Sequence, residues 1–125
     1  MKHTGPLAFA LCLLAAPVFT PAQSGRELYD AANAQNAADD KKLNAAYEAL
    51  IKDIRATNKD RADLVIERLR ESQRAWLKFR EAQIGFVGAY TEIGSSSARA
   101  AGLSSYSHEL TTARIKDFAE VPNPF

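Results

Sequence analysis

Few side chains in this sequence are equipped for bond-making chemistry. Apart from His3 near the start, the only imidazole is His108, which stands beside Glu109, and Cys12 is the only thiol. General acid–base catalysis needs a group poised near neutral pH, and covalent catalysis needs a nucleophile next to a base. The sequence shows no nucleophile–base pair, no metal-ligand spacing and no glycine-rich phosphate loop after a strand. His108 falls about a third of a turn off the apolar stripe of its segment, so it reads as a solvent-facing histidine. The expectation is a protein that is not an enzyme and that uses neither cofactor nor metal.

Polar residues set among apolar ones say more. Ser72, Gln73, Arg80 and Gln83 share the apolar side of one helical pattern, and Arg114 lies between Leu110 and Phe118 in another. A buried guanidinium must be paired, because an unmatched buried charge is strongly unfavourable. Folding the chain about residue 59 or 60 sets Arg80 level with Asp39 and Asp40. Folding it about residue 97 sets Arg114 level with Arg80. The expected result is a polar cluster of Asp39, Asp40, Arg80, Gln83 and Arg114 that fixes helix register. A binding or catalytic site made from the same residues is the alternative reading.

The elements that position these groups are helical. Lys2 and His3, a charge-free run from Leu7 to Phe19, and Thr20-Pro21-Ala22 have the anatomy of a cleaved secretory signal peptide over residues 1–22. Leu11 before Cys12 argues against a lipoprotein site, and the apolar run is too short to span a bilayer. Removing the leader leaves 103 residues with no cysteine and with 15 basic and 15 acidic side chains. That balance argues against a nucleic-acid partner, which calls for a basic surplus.

Residues 23–38 are Ala- and Asn-rich and read as a short or frayed helix. From 39 to 57, Leu43, Tyr47, Leu50, Ile51 and Ile54 mark one face of a helix. A longer pattern over 60–91 places Val65, Leu69, Trp76, Val87 and Tyr90 on one side, flanked by Ile66, Phe79, Ile84 and Phe86. An apolar arc so wide suits a central helix with more than one neighbour. Gly94 to Gly102 reads as a loop, 103–119 as a third main helix, and 120–125 as a proline-bearing tail. The class is therefore all-α, a small antiparallel bundle over 39–119 whose core anchors are Leu43, Tyr47, Leu69, Trp76, Phe79 and Leu110.

Leu43-Asn44-Ala45-Ala46-Tyr47, the block Gln73-Arg74-Ala75-Trp76-Leu77-Lys78-Phe79-Arg80-Glu81-Ala82, Gly94-Ser95, and Leu110-Thr111 followed by Arg114 carry a resemblance. Together they resemble the LprI-type family, small exported bacterial helical domains named after a lysozyme inhibitor. The resemblance covers roughly residues 39–118 and rests most on the Gln-Arg-Ala-Trp-Leu-x-Phe-Arg block. It implies an exported, periplasmic or secreted, helical protein with a lysozyme-like cell-wall hydrolase as partner. Another envelope partner, as for an assembly factor or an immunity protein, is the alternative. The family's usual cysteines are replaced here by Ile84 and Tyr106, so an apolar or aromatic contact between those two is expected in place of the staple.

If a hydrolase is the partner, the alternately signed face of the long helix is a weak anchor. The serine-rich connection is the better candidate contact: Ser95, Ser96, Ser97, Arg99, Ser104 and Ser105. Small hydroxyls and one arginine fork suit a cleft that holds paired carboxylates.

Overall fold

A computed structural model describes residues 25–91 and 96–121 and contains three helices, α1 (Gly25–Thr57), α2 (Ala62–Tyr90) and α3 (Ser96–Ala119). They run up, down and up, so α1 and α3 lie parallel with α2 antiparallel to both. No strand occurs among the described residues. The leader expected over 1–22 and residues 122–125 of the tail fall outside them.

The largest departure from the sequence pattern is the length of α1. The segment 23–38, expected as a separate helix, is from Gly25 onward the first part of one helix of 33 residues, about 50 Å long. Ala31, Ala32, Ala34, Ala37 and Ala38 are the best helix formers, and Glu27 in the first turn and Arg55 in the last complement the helix dipole. Large apolar residues are scarce there because α1 packs in this half against small side chains of α3.

That packing is close. Ala32 on α1 and Ser104, Ser107 and Thr111 on α3 are all buried. The Ser104 hydroxyl lies 3.1 Å from the Ala32 carbonyl and 3.1 Å from the Asn36 side-chain oxygen. A Cβ on Gly25 would come within 3.2 Å of Ser97 Oγ, so the two backbones are near their closest approach at that end. Ser97, Ser104, Thr111 and Phe118 repeat every seven residues, the spacing that keeps one edge of a helix against a parallel neighbour. At the far end Phe118 meets Tyr47 with ring centroids 5.9 Å apart.

The same repeat corrects the reading of 94–102 as a loop. From Ser96 on the chain is helical, because Ala98, Ala100 and Ala101 favour the helix and the small-residue edge docks on α1. Gly94 and Ser95 lie outside the described residues.

The apolar core sits at the α1–α2 turn. Ile51, Ile54 and Ile66 are buried together, with Tyr47, Leu50, Ala62, Val65 and Leu69 packed against them. Burying such side chains contributes about 1.5–3 kcal/mol each. The turn itself is closed by the Asn58 N–H on the Ile54 carbonyl (2.8 Å) and the Arg61 N–H on the Asn58 carbonyl (3.0 Å). Of the expected core anchors, Leu43 is buried, while Tyr47, Leu69, Trp76 and Leu110 are half-buried. Phe79 is not in the core: it is 48% exposed. The buried side of α2 runs through Ile66 and Gln73, and Phe79 lies well around the helix from that line.

Candidate functional site

Asp39 is a buried carboxylate on a helix interior, which demands partners. It has two. Gln35 Nε2, one turn earlier, donates to Oδ1 at 2.9 Å, and His108 Nδ1 of α3 lies 2.9 Å from Oδ2. Gln35 Nε2 also sits 3.3 Å from His108 Nδ1. A nitrogen that donates to Asp39 cannot also accept from Gln35, so this last approach is proximity, with both donors serving the carboxylate. Burial raises the Asp39 pKa, but the Gln35 and His108 hydrogen bonds and the nearby charges of His108 and Lys42 outweigh it. The carboxyl is held below its ordinary value of 3.8. The expectation of a solvent-facing His108 is thereby corrected: the ring is half-exposed but tethered to α1.

Arg80 projects from α2 into the space between α1 and α3. Its Nη1 donates to Asp40 Oδ1 at 2.7 Å and to Thr111 Oγ1 at 3.0 Å, while Thr111 in turn donates to the Ser107 carbonyl at 2.8 Å. The guanidinium also lies 5.1 Å from the Trp76 ring. Arg114 reaches the same indole at 5.8 Å and stacks at 4.7 Å on Phe118. Trp76 thus spaces two cations apart and is attracted to both.

Arg114 does not share the height of Arg80. Its Nε donates to Gln73 (3.1 Å) and its Nη2 to Ser72 (2.8 Å), with Asp117 at 3.9 Å. Burial lowers the Arg114 pKa and Asp117 offsets part of the shift. The cross-helix pairs Arg80–Thr111, Gln83–Tyr106 and Gln73–Arg114 centre the α2–α3 hairpin near residue 94 rather than 97. The early start of α3 causes this, and it slides Arg114 about 9 Å along α2 from the expected level. Gln83 joins neither arginine; it accepts from the Tyr106 hydroxyl at 3.4 Å. Ile84, next to Gln83, lines a groove between α1 and α2.

That groove holds about 420 Å³ and is bordered by Asn36, Asp40, Leu77, Arg80, Glu81 and Ile84, with Ser107 contributed by α3. Among the described residues every buried side-chain nitrogen and oxygen has a hydrogen-bond partner. No group of three or more His, Cys, Asp or Glu among them could hold a metal ion. An arrangement so fully paired orders helices and presents a polar groove; its groups are spent on one another.

The serine-rich segment is distributed differently from a flexible contact loop. Ser96 and Ser105 are exposed on α3, Ser97 is half-buried near Gly25, and Ser104 is buried. Arg99 donates through Nη2 to the Gly88 carbonyl. Sequence periodicity missed Gln35, Asn36, Thr111 and the tethered His108. The signal available for them was the seven-residue spacing of small residues on α3, set against the matching spacing of Ala32 and Asp39 on α1.

No curated protein and no solved structure matches this chain. The model of the family described as lysozyme inhibitor LprI matches residues 20–118. That span contains all three helices except the last residue of α3, and the chain belongs to this family.

Proposed function

We propose that this chain is an exported binding protein that engages and blocks a lysozyme-like cell-wall hydrolase. The observation that carries the reading is the family match over residues 20–118. The leader pattern over residues 1–22 supports export, and no helix among the described residues is long and apolar enough to cross a membrane. The arrangement of Asp39, His108, Arg80 and Arg114 supports a role in building the scaffold rather than in turnover.

The contact surface belongs at the α2–α3 corner, with Ser95, Ser96 and Arg99 as its polar groups. Ser104 takes no part, since its hydroxyl is buried on the Ala32 carbonyl. A helix start with hydroxyls and an arginine can hydrogen-bond carboxylates in a polysaccharide cleft. The test is residual hydrolysis of cell-wall substrate by lysozymes of several types. Inhibition of at least one type is expected, and it should weaken about tenfold, roughly 1.4 kcal/mol, when Ser95 and Ser96 are both changed to Ala. No inhibition of any type ends the hydrolase reading; inhibition untouched by the double substitution moves the contact elsewhere.

A further inference from the structure

The outer face of α2 carries a second, largely apolar stripe, of which the bundle uses only Ser72, whose hydroxyl accepts from Arg114 of α3. Ser72, Ala75, Phe79, Ala82, Phe86 and Ala89 follow one another at alternating steps of three and four residues, and all six are exposed. This is the seam spacing of paired helices. Phe79 is 48% exposed, Phe86 64% and Tyr90, at the edge of the stripe, 80%. No residue of the six is charged. The wide apolar arc that the sequence shows on this helix is thus half occupied by α1 and α3 and half open.

We propose that this stripe pairs with the same stripe of a second copy of the chain, antiparallel and about a twofold axis. The order of large and small residues selects that partner. In a parallel pair, phenylalanine would face phenylalanine and alanine would face alanine, which leaves bulges beside gaps. In an antiparallel pair a single register puts Phe79 against Ala82, Phe86 against Ala75 and Ser72 against Ala89 of the other copy. One surface then fills itself, the requirement of an isologous interface.

The area agrees. With about 200 Å² for each aromatic side chain, the exposed fractions of Phe79, Phe86 and Tyr90 amount to about 400 Å² per chain. The pair therefore covers about 800 Å² from aromatics alone, and the alanines and flanking stems bring it toward the roughly 1,200 Å² of a small specific interface. Charge does not oppose it, since the chain without residues 1–22 carries 15 basic and 15 acidic side chains. The pairing is independent of which hydrolase is bound, or of whether one is.

Sedimentation velocity of the purified protein between about 1 and about 300 μM tests the pairing. The wild type is expected to move from monomer to dimer within that range and to go no further. Phe86→Glu should weaken the dimer at least tenfold, with unchanged helical circular dichroism because the side chain is exposed. Ala82→Phe gives the sharper reading. It adds apolar surface, so unspecific sticking would increase, whereas in the interlocked seam it collides with Phe79 of the other copy and the dimer weakens. A wild type that stays monomeric throughout, or an Ala82→Phe variant that associates more tightly, overturns the proposal.

Discussion

The two ends of α1 are held by different means. Toward Thr57 it is gripped by isoleucines, with Ile51 and Ile54 closing on Ile66 of α2. Toward Gly25 it is gripped by α3 through Ala32, Ser104 and the Asp39–His108 pair. The first contact is apolar and tolerant of small slides, since the hydrophobic effect has no direction. The second is directional, since each hydrogen bond weakens steeply with distance and angle. The comparison teaches a division of labour. Apolar burial is concentrated at the turn, and the polar seam fixes the height at which α3 docks.

The largest effect expected from breaking that comparison is at the apolar end. Ile66→Ala removes a side chain that is 2% exposed and should cost about 2–5 kcal/mol, read from urea denaturation. A cost below that of any seam substitution would reverse the division of labour.

Next in size is Asp39→Ala, which strands the Gln35 amide and the His108 ring. It should cost about 1–3 kcal/mol, because the Asp39 carboxylate that serves both partners is itself buried. The same residue makes stability depend on acidity. Its pKa in the folded chain is held below the ordinary value of 3.8, so its stabilisation is complete above that value. It is lost as pH falls through the lower, folded-state pKa. Urea midpoints measured from neutral pH down into that range should therefore fall, and Asp39→Asn should flatten the decline. An equally steep decline in the Asn variant would place the acid sensitivity elsewhere.

Smallest is Arg80→Ala. The arginine side chain is 16% exposed, but its partner Asp40 is 53% exposed and can be rehydrated once alone. A cost of about 1–2 kcal/mol is expected, most of it from the Thr111 bond and the indole contact. A much larger loss would mean that Arg80 belongs with the apolar end as a principal support. Far-ultraviolet melting curves of the variant and wild type at one protein concentration decide it.

Legibility in the sequence followed side-chain size. Leu43, Tyr47, Leu50, Ile51 and Ile54 announce the second half of α1, and Asp39-Asp40 with Arg80 can be paired by counting from the turn. The first half of α1 and the start of α3 could not be seen in the same way. Alanine and serine set no amplitude in a hydrophobic period, although they are what lets two helices approach. Phe79 misled for the complementary reason: size and periodicity say that a face is apolar, not which neighbour covers it.

The sequence by itself determined the all-α class, the turn at 58–61, the bounds of α2 within two residues and the likeness to the LprI family. Each rests on local propensity or on one-helix periodicity, which a single strand of text carries in full. Only the tertiary structure decided that His108 serves Asp39, that Arg114 turns to Ser72 and Gln73, and that Phe79 and Phe86 face outward. Those outcomes depend on the relative height and rotation of three helices. A shift of a few residues in where α3 begins moves every cross-helix contact by several ångströms, and that start is set by small-residue packing on α1, an interaction between segments roughly seventy residues apart.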